Sequence, residues 1–206
     1  MLVMLNVHET FDVTRLRPDV RHLRIGLGWD RSEQPTGLWS RVFGRREAVD
    51  LDAACLLLDK YGELIDMVWF KKLRTLDDSV CHRGDSLDGR PASADQALCD
   101  DESIDVDLKK IADSVMYLFF SVCSYTGHNF KDIEQAHCRI LNAKTDDELA
   151  RFDLSRRGAH TGLIMAGLSR VGSGWQLQAL GEPVNARTPE ELLTTLQQWV
   201  HPPASS

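Results

Sequence analysis

The sequence predicts a mainly β protein: a β-sandwich of two sheets with short helices and a helix near its C-terminus. Most apolar residues fall in short runs of strand length, and turn-forming residues separate these runs. Only one segment, close to the C-terminus, has the three-to-four-residue spacing of an amphipathic helix. The 206 residues fit a single domain, and a hydrophobic fraction of 43% provides enough apolar material for a core.

Alternation and turn residues place the strands along the chain. Residues 20–29 alternate, and Gly26 and Gly28 within them disfavour a helix. Residues 49–70 predict a β-hairpin around the turn at 60–63, and the most apolar run, 115–125, predicts a central strand. Further strands are expected over 79–83, 104–108, 136–142, 148–154, 161–171 and 175–180.

The C-terminal helix has both a start signal and an apolar stripe. Thr188 is suited to the N-cap, Pro189 to the first helical position, and Glu191 to the return bond of a capping box. The stripe that follows consists of Leu192, Leu193, Leu196, Trp199 and Val200. A single helical turn is also expected over residues 130–135.

The negative charge is concentrated in one segment. The chain carries a formal charge of −7. Ten acidic residues lie between Asp77 and Asp107, where Arg83 and Arg90 are the only bases, so this window alone has a net charge of −8. Because the rest of the chain is nearly neutral, general nucleic-acid binding through phosphate neutralisation is not expected.

Cysteine usage indicates a reducing compartment. The five cysteines are odd in number and lack CxxC spacing, which argues against a secreted disulfide framework and against a zinc site. The longest apolar stretch, 115–123, is shorter than the roughly 20 residues needed to span a bilayer. No Ser/His/Asp or Cys/His set has a recognisable nucleophile motif. We therefore expect a cytoplasmic protein with reduced thiols.

The acidic segment has the composition of a calcium-binding loop. Gly84-Asp85-Ser86-Leu87-Asp88-Gly89 is followed by Asp100-Asp101-Glu102, while Asp50 and Asp52 share one face of a strand. Clustered carboxylates repel one another, and a hard cation with six to eight oxygen ligands removes that repulsion. The spacing is not that of an EF-hand. The residues therefore predict a divalent-cation site.

Five short motifs give the chain a resemblance to a known family. They are Gly26-Leu27-Gly28-Trp29-Asp30, Val49-Asp50-Leu51-Asp52-Ala53, His82-Arg83-Gly84-Asp85, Asp100-Asp101-Glu102 and Ile104-Asp105-Val106-Asp107-Leu108. In this order they resemble the bacterial tellurium-resistance TerD family over residues 20–198. Met67-Val68-Trp69-Phe70-Lys71-Lys72-Leu73 and His160-Thr161-Gly162-Leu163-Ile164 make the TerZ branch of that family the most similar.

The resemblance implies a calcium-binding β-sandwich that is not an enzyme and that has a role in resistance to tellurite and related stresses. It further implies an assembly with other tellurium-resistance proteins, near the inner face of the cytoplasmic membrane and with a membrane-embedded partner. Carried over to this sequence, the metal-ligating positions are Asp30, Asp50, Asp52, Asp85, Ser86, Asp100, Asp101 and Glu102.

Two departures from the family pattern leave a second hypothesis open. Ser86 stands where the family usually has Asn, and a hydroxyl is a poorer calcium ligand than an amide carbonyl. Residues 90–99 also lengthen the loop and replace its usual Gly-Asp-Gly. The alternative is a metal-free interaction module of the same fold, which docks a partner through this loop or through the insert at 31–48 that carries Trp39.

Overall fold

Within the residues that the structure describes, twelve strands in two six-stranded sheets form the body of the molecule. The computed structural model describes residues 3–4, 6–31, 51–85, 100, 102–127, 129–130, 133–153 and 158–202. The strands are β1 (Val3–Met4), β2 (Thr10–Asp12), β3 (His22–Arg31), β4 (Asp52–Leu58), β5 (Leu64–Val68), β6 (Val80–Asp85), β7 (Glu102–Asp107), β8 (Tyr117–Cys123), β9 (Ile133–Asn142), β10 (Glu148–Asp153), β11 (Gly162–Val171) and β12 (Gly174–Val184). Helix α1 (Val13–Leu16) follows β2, and helix α2 (Leu193–Val200) follows β12.

The two sheets have different strand orders. Sheet A runs β1-β10-β9-β3-β7-β6, and sheet B runs β2-β12-β11-β8-β4-β5. Every pairing is antiparallel except that of β1 with β10. The short strands β1 and β2 lie close together in the sequence but each occupies an edge of a different sheet.

The main core lies between the two sheets. The residues that strand alternation directs inward from sheet A, such as Ile25 and Ile104, pack with residues from sheet B, such as Val122 and Leu163. All four are buried. Burying apolar surface in this way stabilises the fold by about 25 cal/mol per Å² removed from water.

A second apolar cluster covers the outer face of sheet B. Helix α2 places Leu196 and Trp199 against Leu56 of β4 and Phe119 of β8. The ring of Trp199 meets that of Phe119 edge-on, with centroids 5.0 Å apart. Because this helix covers its outer face, β8 is buried on both sides, which explains its nearly continuous apolar sequence.

The outer face of sheet A is polar and carries ion pairs. Arg24 on β3 donates to Asp105 on β7 (2.8 Å) and to Asp146 (2.9 Å). Arg83 on β6 donates to the other oxygen of Asp105 at 2.7 Å. Part of the acidic window is therefore neutralised by arginines on neighbouring strands.

The structure confirms the predicted β-sandwich with its C-terminal helix. The hairpins β4–β5 and β11–β12 occur where expected, and β8 lies inside sheet B between β11 and β4. Within the described part of the chain, the helical turn predicted over 130–135 is wrong from Ile133 onward, where β9 begins. Most of the insert at 31–48, with Trp39, lies outside the described residues, as do residues 86–99.

The start of the C-terminal helix differs from the predicted capping box. Residues Pro189–Leu192 form a 3₁₀ turn before α2, and Thr188 makes no side-chain capping bond. Glu191 accepts instead from the backbone N–H of Arg187 at 3.0 Å. The carboxylate therefore satisfies a backbone donor one residue earlier than the predicted motif.

Candidate metal site at one end of the sandwich

Three of the eight predicted ligand side chains are described by the structure: Asp52, Asp100 and Glu102. For Asp30 and Asp85 the structure describes the strand position but not the side chain. The predicted ligands Asp50, Ser86 and Asp101 lie outside the described residues.

Strand ends bring these positions to one end of the sandwich. Glu102, the first residue of β7, pairs with Leu27 of β3 on one side and with Asp85, the last residue of β6, on the other. Strand β3 then continues past Leu27 to Asp30. Asp52 begins β4 in the facing sheet. The acidic positions of four strands therefore gather at the same end, although they are far apart in the sequence.

Glu102 joins the two sheets at this end. Its side chain points inward, as do Ile104 and Val106 on the same strand, and the residue is only 4% exposed. Its Oε2 accepts a hydrogen bond from the backbone N–H of Ala53 in sheet B. Strand β5 pairs with β4 only from Cys55 onward and does not reach Ala53. The Glu102 carboxylate therefore supplies the acceptor for the backbone N–H of Ala53.

His82 lies on the other side of the Glu102 carboxylate. Its Nε2 is 3.5 Å from Glu102 Oε2, and its side chain is 1% exposed. The Nδ1 atom accepts a hydrogen bond from the N–H of Gly84 at 2.9 Å, which orients the ring so that Nε2 faces the carboxylate. Gly84 permits this contact because its φ of 80° lies in the left-handed region.

Asp100 lies on the outer face of sheet A, where Arg139 holds both of its oxygens. The guanidinium donates through Nε to Oδ1 at 2.6 Å and through Nη2 to Oδ2 at 2.9 Å. Gly26 makes room for the pair, since a Cβ at this position would lie within 3.0 Å of the Asp100 carboxylate. Bidentate pairing of this kind fixes the orientation of a carboxylate and neutralises it.

The environment of Asp100 favours its charged form. Burial alone raises the pKa of this carboxyl, but the contacts with His137 and Arg139 outweigh burial and lower the pKa below its ordinary value. The nearest approach of His137 is 3.9 Å, from Nε2 to Asp100 Oδ1. Asp100 is therefore an ionised carboxylate whose charge is already balanced inside the protein.

Asp52 lies on the outer face of sheet B, the face that points away from sheet A. Leu51 and Ala53 belong to the core between the sheets, so alternation directs Asp52 toward the outer face of sheet B, next to Ala54. There its charge contributes to raising the pKa of the Cys123 thiol, after the larger effect of burial and that of Glu191.

The three described carboxylates therefore lie at the same end of the sandwich but on different sides of its two sheets. Asp100 is outside sheet A, Glu102 is between the sheets, and Asp52 is outside sheet B. Among the described residues, no three His, Cys, Asp or Glu side chains lie close enough together to hold a metal ion. A metal at this end would need ligands from the residues that flank these strands in the sequence, and Asp100 would have to leave Arg139 to join them.

Three residues that shape this end were not among the predicted site residues: His82, His137 and Arg139. His82 occurs in a motif of the family resemblance, and its alternation with Val80 could have indicated an inward-facing side chain. Arg139 could not have been paired with Asp100 from sequence, because the contact joins strands distant in the chain.

Comparison with known proteins identifies the family. A family model described as the TerD domain matches residues 1–194. The chain belongs to the TerD family. It is 37% identical to the tellurium resistance protein TerZ of Serratia marcescens over 93% of this chain and 95% of that protein. It is also 29% identical to the stress response protein SCP2 of Bacillus subtilis, over 94% of this chain and 98% of that one. The predicted family and its TerZ branch are confirmed.

A solved structure agrees with the fold of this TerD-family chain. The crystal structure of a homologue of a telluride resistance protein (TerD) from Streptomyces coelicolor superposes with a TM-score of 0.63 at 17% identity. The match covers 86% of this chain and 98% of the other. At this identity the similarity concerns the fold alone. Among the described residues, no helix is both long enough and apolar enough to cross a membrane.

Proposed function

We propose that this TerD-family protein binds calcium at the end of the sandwich where β3, β4, β6 and β7 carry their acidic positions. The observation that supports the proposal is that separate strand ends deliver Asp30, Asp52, Asp85 and Glu102 to one end. Asp50, Ser86 and Asp101 adjoin these positions in the sequence. Calcium suits such a set because it accepts many oxygen ligands in flexible geometry.

In this proposal the chain's own residues have distinct tasks. Glu102 anchors the end of β7 to β4 through Ala53, while Arg139 holds Asp100 away from the remaining carboxylates. The ion would supply positive charge that lowers the repulsion among the other acidic side chains. The protein would act by binding, without catalysis, in a cytoplasmic tellurite-resistance or stress-response assembly next to the membrane, with other tellurium-resistance proteins as partners.

Thermal unfolding tests the calcium proposal directly. A ligand that binds only the folded state stabilises it by RT ln(1 + [L]/Kd), about 2.7 kcal/mol at 100 times Kd. We expect millimolar calcium to raise the melting temperature above that in excess chelator. Asp52→Asn combined with Asp50→Asn should remove this shift. Asp105→Asn is the matched control, because Asp105 is bound by Arg24 and Arg83 and is not a proposed ligand.

A metal-free interaction module is the second candidate, and one observation favours it. Asp100 is neutralised by Arg139, and Glu102 is engaged by Ala53. These two carboxylates have protein partners and need no ion. Equal melting temperatures in calcium and in chelator would reject the calcium site. Deletion of residues 31–48 should then abolish capture of a purified tellurium-resistance relative if this candidate is correct.

A further inference from the structure

Lys71 lies among three aromatic rings near the end of β5. Its Nζ is 4.7 Å from the ring centroid of Trp69, 4.8 Å from that of Tyr125 and 5.3 Å from that of Phe70. Each distance is within the roughly 6 Å over which the face of an aromatic ring attracts a cation. We call Trp69, Phe70 and Tyr125 the aromatic cage.

Two separate segments build the cage. Trp69 and Lys72 exchange both backbone hydrogen bonds, at 3.0 and 2.9 Å, which leaves Phe70 and Lys71 at the tip of a tight turn. Tyr125 comes from the loop that follows β8. The rings also contact one another edge-on, with centroids 4.8 Å apart for Trp69 and Phe70 and 5.7 Å apart for Phe70 and Tyr125.

The rings of the cage contact the charged group of Lys71. Within the described part of the chain, no acidic oxygen lies within 4.0 Å of its ammonium group, whereas the next residue, Lys72, forms an ion pair with Asp66. The two neighbouring lysines therefore have different partners: aromatic rings contact Lys71, and a carboxylate contacts Lys72. The attraction between a ring face and a cation does not require an N–H group, whereas a hydrogen bond to a carboxylate does. Ring faces therefore also bind a cation whose nitrogen is fully alkylated.

A ligand could reach the cage from solvent. Trp69 is buried at 8% exposure and packs with the apolar cluster under helix α2, so it forms a fixed floor. Phe70 and Tyr125 form the walls and are 37% and 48% exposed. Lys71 is itself exposed and can leave the cage without disturbing the core.

We propose that the aromatic cage is a binding site for an alkylated ammonium group, with Lys71 as an internal occupant that the ligand displaces. This inference is independent of the calcium proposal. A trimethylammonium group is more weakly hydrated than the ammonium of lysine and spreads its charge over methyl groups that fit against ring faces. The lysine lowers the apparent affinity in proportion to the fraction of time for which it fills the cage.

Titration with tetramethylammonium, followed by the NMR signals of the Trp69 and Tyr125 rings, tests this proposal. We expect Lys71→Ala to bind this cation at least about tenfold more tightly than the wild-type protein, because the competing occupant is gone. Lys71→Arg retains a cation in the cage and should bind as weakly as the wild type. Lys72→Ala is the matched control for loss of one positive charge beside the cage and should also leave the affinity unchanged.

Two further measurements determine whether the rings and the charge are responsible. Tyr125→Leu in the Lys71→Ala background should abolish binding while the melting temperature shows that the fold is retained. Tert-butanol, a neutral molecule of similar size, should bind much more weakly than tetramethylammonium. Equal binding of the two molecules, or no binding of tetramethylammonium to folded Lys71→Ala, would overturn the proposal.

The source of the alkylammonium group can be distinguished with the same variants. Free choline and phosphatidylcholine vesicles present the same trimethylammonium chemistry in soluble and in lipid form. Choline binding with no sedimentation on vesicles would assign a small soluble ligand, and sedimentation that requires Tyr125 would assign a lipid headgroup. Binding of neither choline nor vesicles to folded Lys71→Ala would contradict the proposal.

Discussion

Asp100 illustrates how a single contact changes the meaning of an acidic residue. In the sequence it belongs to an Asp-Asp-Glu run that suggests a metal ligand. In the structure its two oxygens are bound by Arg139, over the space left by Gly26. The carboxylate therefore has a protein partner of opposite charge, and its position in an acidic run does not require a bound ion.

This pairing makes stability depend on pH in the acidic range. The folded pKa of Asp100 is lowered by its contacts, against the effect of burial, while the unfolded value is about 3.9. Its stabilising contribution is therefore complete above the unfolded pKa and is lost as the pH falls through the folded pKa. We expect Asp100→Asn to be destabilised near neutral pH and to lose less further stability than the wild type on acidification, as measured by urea unfolding.

Asp113→Asn is a suitable control for the pH experiment, because Asp113 is an exposed carboxylate outside this cluster. It should retain the wild-type dependence of stability on pH. An unchanged acid dependence in Asp100→Asn would show that the ion pair with Arg139 does not contribute to stability.

The local conformation of a residue could be predicted in part from the sequence, but the side chains that it contacts could not. From sequence, Gly26 is expected to disfavour a helix, and it lies in strand β3. Its second role, leaving space for the Asp100 carboxylate, requires knowing that a segment distant in sequence crosses this position. Alternation fixes the face on which a side chain lies, but not the partner that it meets there.

At the scale of elements, Glu102 connects β7 of one sheet to β4 of the other. Replacing it with Ala would leave the buried N–H of Ala53 without its acceptor, which costs about 1–3 kcal/mol. We expect Glu102→Ala to lose free energy of unfolding of this order. Glu102→Gln should lose less, because its amide oxygen can still accept the bond. Chemical denaturation in excess chelator measures both values without any contribution from an ion.

Asp107→Ala is the control on the same strand. Asp107 lies on the outer face of sheet A, where it contacts His22 and the backbone N–H of Lys109. Its loss should cost less than that of Glu102, because water can replace these more accessible contacts. Similar losses for Glu102→Ala and Asp107→Ala would contradict the role of Glu102 as a link between the sheets.

Long strands were predictable, whereas short ones were not. Strands β7 and β8 follow from alternation or from a continuous apolar run. Strands β1 and β2, with two and three residues, are too short to establish a period, and their partners supply most of their stability. At the last helix, the sequence spacing predicts a capping box, but spacing does not determine which nearby N–H the carboxylate meets, and Glu191 accepts from Arg187 rather than from Thr188.

At the scale of the whole molecule, packing determines the chemistry of the thiols. Cys55, Cys123 and Cys138 are buried, and burial raises the pKa of each thiol. Cys81 also has a raised pKa, but it is partly exposed. We expect a maleimide to modify Cys81 well before these three in the native protein, with the sites determined by peptide mass mapping.

A Cys99→Ser background removes the remaining cysteine, which lies outside the described residues. Denaturation in urea should make all four remaining thiols react at similar rates. Native modification of Cys138 as fast as that of Cys81 would show that the sandwich opens readily. Protection of the three buried thiols would show that the packed sandwich keeps them from reagents in solution.

The overall charge was predictable as a number but not as a distribution in space. The acidic window has a net charge of −8 in sequence, yet Asp100 and Asp105 within it are bound by arginines of neighbouring strands. The acidity that remains for a ligand is therefore smaller than the sequence suggests. Calcium binding stays a prediction because the residues that would complete the site flank the described strand ends.

The positions of β1 and β2 have a consequence for how the chain reaches its folded state. Val3 pairs with Ala150, and Phe11 pairs with Leu177, so the first two strands have partners that ribosomes make much later. Bringing together residues so far apart in the sequence has an entropic cost that must be met before the contact forms. Contacts over long separations therefore slow folding. During synthesis, sheet A therefore lacks a partner for β1 until β10 has left the ribosome, and sheet B lacks a partner for β2 until β12 has, so both short strands expose unpaired backbone groups for most of translation.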